Sequence, residues 1–84
     1  MYRVRISSDA EKQLAKLDGA VRVRVAQKID ILAENPRPAG CKKLKGDDNL
    51  WRARTGDYRI VFSIHDDLLL VLVIRIAHRR EVYR

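Results

Sequence analysis

Leu50-Trp51-Arg52-Ala53-Arg54-Thr55-Gly56-Asp57-Tyr58-Arg59-Ile60-Val61-Phe62 reads as two strands joined by a tight turn. A two-residue loop that begins with glycine, here Gly56-Asp57, suits a type II′ hairpin. In that register Thr55 faces Tyr58, Arg54 faces Arg59, Ala53 faces Ile60, Arg52 faces Val61 and Trp51 faces Phe62. Side chains alternate across a strand, so Trp51, Ala53, Ile60 and Phe62 share one face, and Arg52, Arg54 and Arg59 share the other. Like charges set opposite one another destabilise a sheet. Arginines placed face to face therefore want an external anion, and a forked guanidinium matches phosphate.

Upstream of the hairpin, Tyr2-Arg3-Val4-Arg5-Ile6 alternates apolar and charged residues, the pattern of a half-buried strand. Ser8-Asp9-Ala10-Glu11 matches a capping box, with Ser8 as N-cap and Glu11 reaching back. The helix it opens carries Ala10, Leu14 and Leu17 on one face, and Asp18-Gly19 breaks it. A second helix over about 20–34 buries Val21, Val25, Ile29 and Leu32, with Arg22, Arg24 and Lys28 off that stripe. Asn35-Pro36 ends it, because the residue before a proline avoids the helical region. Residues 37–49 read as a loop holding Lys42, Lys43 and Lys45.

Downstream, Tyr58–His65 completes the hairpin and Asp66-Asp67 turns the chain into an apolar run over 68–77. That run is apolar on both faces, which predicts a central strand and hides which of its side chains lie under the arginines. The chain ends His78-Arg79-Arg80-Glu81-Val82-Tyr83-Arg84. The predicted fold is α+β, in the order β-α-α-β-β-β: a mainly antiparallel four-stranded sheet with two helices packed on one face. The uncovered face then holds the arginines, flanked by the lysine loop and the basic tail.

A net charge of +7 and a sequence pI near 10.1 favour a polyanionic partner, nucleic acid or an acidic protein. Eighty-four residues make one domain, and the hydrophobic content of 46% argues for a folded one. Cys41 is the one cysteine, which rules out an internal disulfide, and no thiol or histidine cluster has metal-ligand spacing. The N-terminus lacks an apolar signal core, so the expected location is the cytoplasm, and no apolar run is long enough to span a bilayer.

The residues to hand, arginine, lysine, tyrosine and His78, suffice for RNA cleavage by the 2′-hydroxyl. One group must take its proton, cations must steady the phosphorane, and one group should protonate the leaving 5′-oxygen. Arginine is a poor base because its pKa stays above about 12. Tyr83 accepts a proton if neighbouring arginines lower its pKa, and His78 is the other candidate.

The order and spacing of Lys43-Leu44-Lys45-Gly46, Trp51-Arg52-Ala53-Arg54, Gly56-Asp57-Tyr58-Arg59-Ile60-Val61-Phe62 and His78-Arg79-Arg80-Glu81-Val82-Tyr83 resemble the RelE toxins of bacterial type II toxin–antitoxin pairs. The likeness to this branch of the RelE/ParE superfamily runs essentially from end to end. It implies a single RelE-like toxin domain over 1–84, acting as a ribosome-dependent mRNA endoribonuclease without metal or cofactor. It further implies a RelB-like antitoxin that silences the basic surface, and a toxin–antitoxin complex able to bind operator DNA. The catalytic set carried over is Arg52, Arg54, Arg59, Arg79 and Tyr83, with Lys42, Lys43, Lys45 and Arg80 as RNA or ribosome contacts. In the best-studied relative the positions matching Arg52 and Arg54 are lysines, so arginine here shifts the role of base toward Tyr83. A ParE-like gyrase inhibitor and a plain RNA-binding module would share the fold, so fold does not decide among them.

Overall fold

The computed structural model of the chain describes residues 1–44 and 49–78. Strand β1 (Arg3–Ile6) leads into helices α1 (Ser8–Ala15) and α2 (Gly19–Glu34). Strands β2 (Lys42–Lys43), β3 (Leu50–Thr55), β4 (Tyr58–His65) and β5 (Leu70–His78) follow. The sheet order is β1-β5-β4-β3-β2, with β1 parallel to β5 and every other pair antiparallel. The α+β class holds, and β5 is central, between β1 and β4. The sheet has five strands rather than four, because Lys42 and Lys43 leave the expected loop to pair with Arg52 and Trp51. Leu44 N–H extends that pairing with a bond to Leu50 O at 2.8 Å. Two residues are too few to show an alternating pattern.

The hairpin has the expected register, Thr55 opposite Tyr58 through Trp51 opposite Phe62. Gly56 takes φ +58, and among the described residues Leu69 alone is a non-glycine with positive φ. Asp57 therefore has a negative φ, as type II′ requires and type I′ forbids.

Helix α1 begins one residue earlier than its motif suggests. Ser7, not Ser8, is the N-cap: its backbone is extended and its Oγ accepts from Ala10 N–H at 3.1 Å. Ser7 Oγ also donates to Ile74 O at 2.8 Å, so one hydroxyl joins the helix start to β5. Helix α2 ends at Glu34, with Asn35 as C-cap before Pro36. The apolar run splits: Asp66–Leu68 forms a single 3-10 turn and β5 starts at Leu70.

Strand β5 carries a β-bulge. Val61 pairs with Arg75 and Phe62 with Val73, which leaves Ile74 as the extra residue. The groups freed there are met from α1, where Gln13 Oε1 accepts from Ile76 N–H at 2.7 Å and Ser7 holds Ile74 O. The bulge inverts the alternation, so Val71, Val73 and Ile76 all face the helices and Arg75 stays exposed. Val25, Ile29 and Leu32 of α2 and Ala10 of α1 close this side over Ala53, Ile60, Phe62 and Ile64.

Candidate functional site: a cationic cleft at the edge of β3

The pairing ladder maps the sheet face turned away from the helices. One row across it runs Lys42, Arg52, Val61, Arg75, and the next runs Arg54, Arg59, Ala77. Arg75 thus lies two strands from Arg52, about 10 Å at ordinary strand spacing. On β1, Arg3 and Arg5 pair with Leu70 and Leu72 and carry positive charge to the far edge. Arg54 is exposed, Arg52 is half-buried, and Arg59 is only 6% exposed. Arg59 Nη1 donates to Tyr58 O at 3.4 Å, and Arg54 Nε to Gly56 O at 3.4 Å.

A cleft of about 450 Å³ opens where β2 ends and leaves the outer edge of β3 uncovered. Arg52, Arg54 and Arg59 line it from the sheet, Gly40, Cys41 and Lys42 from the loop, and Lys28 from α2. No carboxylate appears among the described residues lining it. In an antiparallel hairpin with a two-residue turn, Thr55 and Tyr58 exchange both backbone bonds, so the Arg54 N–H and C=O point the other way. Those groups face the β3 edge that β2 leaves uncovered, so the cleft combines five cationic side chains with a backbone donor. Such a set stabilises a phosphate and its developing negative charge.

The loop that supplies one wall is anchored at its start. Arg37 holds Asp66 by two bonds, Nη2 to Oδ2 at 2.9 Å and Nη1 to Oδ1 at 3.3 Å, and Tyr2 OH donates to Asp66 Oδ1 at 2.5 Å. The Arg37 guanidinium also lies 5.3 Å from the Trp51 ring centroid, a cation–π contact. Hydrogen bonds from Arg37 and then Tyr2 hold the Asp66 carboxyl below its ordinary value. The bond to Asp66 lifts the Tyr2 phenol above its own. This corner ties β1, the loop after α2 and the β4–β5 turn together.

Residues 4–83 match the family model described as the ParE toxin of type II toxin–antitoxin systems, parDE. Toxin RelE of Mycobacterium tuberculosis is 35% identical over 85 residues, spanning 99% of this chain and 87% of that protein. The chain belongs to the RelE family of the RelE/ParE toxins. Among solved structures, RelE in the archaeal RelE–RelB complex from Pyrococcus horikoshii superposes with a TM-score of 0.83 at 32% identity, covering 93% of this chain and 94% of that one. The isolated E. coli RelE toxin superposes at 0.81 with 29% identity, covering 99% and 92%.

Within this RelE-family chain the expected site residues part company. Arg52, Arg54, Arg59 and Lys42 share the cleft, whereas Lys43 pairs with Trp51 and so belongs to the helix-facing side. Lys45, Arg79, Arg80 and Tyr83 lie outside the described residues. His78 pairs with Tyr58, one step past the Ala77 opposite Arg59, and meets the Tyr58 ring edge-on at 5.3 Å. It therefore faces away from the arginines. Two cations escaped the sequence reading. Arg75 was hidden by the bulge, and Lys28 sits at the border of the α2 stripe, three residues after Val25 and four before Leu32. Among the described residues no His, Cys, Asp or Glu cluster could hold a metal, and no helix is long and apolar enough to cross a membrane.

Proposed function

We propose that this toxin is a ribosome-dependent endoribonuclease that cuts mRNA and stops translation, held silent by a RelB-like antitoxin. The observation that carries the reading is the cleft, where Arg52, Arg54 and Arg59 converge with Lys28 and Lys42. In the proposed reaction the ribose 2′-oxygen attacks the adjacent phosphorus. The P–O5′ bond breaks, leaving a 2′,3′-cyclic phosphate and a free 5′-hydroxyl. The arginines neutralise the charge that grows on the phosphoryl oxygens, a role suited to fixed guanidiniums. Arginine does not serve as the base. The turn of His78 toward Tyr58 favours Tyr83 for the proton transfer. The arginine set favours this reading over gyrase inhibition, which needs no cleavage chemistry. The RelE–RelB complex of the P. horikoshii relative supports an antitoxin partner of that kind. The same reading places the toxin in the cytoplasm and allows its antitoxin complex to bind operator DNA.

Primer extension on an mRNA in a reconstituted translation reaction is the test. The proposal expects cleavage that depends on ribosomes and slows steeply with Arg54→Ala. Cleavage of naked RNA would make the chain a free ribonuclease. Intact mRNA together with gyrase-dependent DNA breaks would assign it to gyrase inhibition instead.

A further inference from the structure

Lys28 stands apart from the other cations of α2. Arg22 and Arg24 are exposed, while Lys28 is half-buried and lines the cleft. Lysine takes such a position at a cost in lost solvation and side-chain freedom. No acidic side chain lies three or four residues from it along α2, where a helical partner would sit. Among the described residues Lys28 forms no ion pair, and Arg37–Asp66 is the pair seen. Its charge instead enters a space already occupied by Lys42, Arg52, Arg54 and Arg59. Lys28 and these residues line the cleft from different elements, Lys28 from α2 and the rest from the loop and the sheet. A half-buried lysine with no ion pair among the described residues, lining a cleft with no described carboxylate, suits an anionic ligand.

The cleft is two-sided. Arg52 and Arg54 belong to β3 and Arg59 to β4 beside it, whereas Lys28 comes from α2. One phosphate gathered by the three arginines leaves Lys28 free for another group of the same polyanion. We propose that Lys28 binds a second phosphate of the RNA strand, adjacent to the one held by Arg52, Arg54 and Arg59, so that the strand threads between α2 and the edge of β3. This rests on the RNA-cleaving function proposed above and adds a subsite to it. The toxin then reads the spacing of two consecutive phosphates, and α2 is part of the binding surface as well as a cover for the core.

Two probes separate the subsites: a 2′-O-methyl dinucleotide with one phosphate and a 2′-O-methyl trinucleotide with two, neither of which can be cleaved. Binding to the full-length toxin is measured by calorimetry or NMR titration at several salt concentrations. The wild-type toxin should prefer the trinucleotide by about tenfold, the scale of one charge-assisted contact. In Lys28→Met, which keeps the apolar stem, the preference should fall to near parity. The salt slope for the trinucleotide should then drop by about 0.7, the share of one single-strand phosphate. Lys28→Arg should restore both. Arg54→Ala should weaken both probes and leave their ratio unchanged. If both probes bind and Lys28→Met keeps the wild-type ratio, the Lys28 subsite is wrong while the RNA reading stands. If neither probe binds the wild-type toxin, the Lys28 subsite is wrong, and the RNA reading falls with it only if primer extension also finds no ribosome-dependent cleavage.

Discussion

On the helix side of the sheet Ile60, Phe62 and Ile76 are buried, while one residue along the same strands Arg59, Val61 and Arg75 belong to the opposite face. The first face is uniformly apolar and closed by two helices, so its free energy comes from area removed from water. The second mixes exposed Arg54, half-buried Arg52 and Arg59 at 6% exposure, so it keeps charge at graded depth. One strand thus carries core and cationic positions in alternation. The contrast is sharpest between Phe62 and Arg54 and blurs at Arg59, a buried arginine on the face turned away from the helices.

The largest effect should come from the apolar side. Phe62→Ala empties a fully buried site and should cost about 3–5 kcal/mol in urea unfolding. Trp51→Ala should cost less, because Trp51 is only partly buried at the end of the sheet beneath Arg37. Equal losses for the two would mean that the core extends further toward β2 than the burial pattern indicates.

On the charged side, Arg54→Ala should leave unfolding within about 0.5 kcal/mol of wild type. The same change should slow single-turnover mRNA cleavage by roughly 10²–10³-fold, the scale of one transition-state donor. A stable, fully active Arg54→Ala toxin would remove this face from the chemistry.

Arg59 tests the boundary between the two roles. Its burial means that Arg59→Ala should lower stability by about 1–3 kcal/mol as well as activity, since a buried polar contact is lost. Unchanged stability would return Arg59 to the surface class of Arg54.

The smallest effect belongs to the Tyr2–Arg37–Asp66 corner, which is exposed. The Asp66 pKa is depressed in the fold, so its contribution is present above the ordinary carboxylate value and fades as pH falls through the folded one. The Tyr2 pKa is raised, so its contribution is present below the ordinary phenol value and fades as pH rises through the folded one. The melting-temperature gap between wild type and Asp66→Asn should therefore be flat near neutral pH. It should narrow below about pH 4 and above about pH 10. A gap that grows at either extreme would rule out the assigned hydrogen bonds.

Much of this was legible in the chain itself. The hairpin register and its two faces follow from Gly56-Asp57 and period-2 alternation, which are local properties of backbone and side-chain geometry. The two helices, their stop at Asn35-Pro36 and the central place of the last strand follow from equally local rules. What needed the tertiary structure is what depends on partners distant in sequence. Strand β2 exists because β3 offers it an edge, and Ser7 rather than Ser8 caps α1 because Ser7 also reaches Ile74. The bulge that turns Arg75 outward is held by Ser7 and by Gln13, 63 residues from its bond at Ile76. An unbroken apolar run carries no sign of such a bulge. Lys28 looks like an ordinary surface lysine until packing sets α2 beside the edge of β3. Local steric preference writes elements into a sequence, but the meeting of charges across elements is decided by how those elements pack.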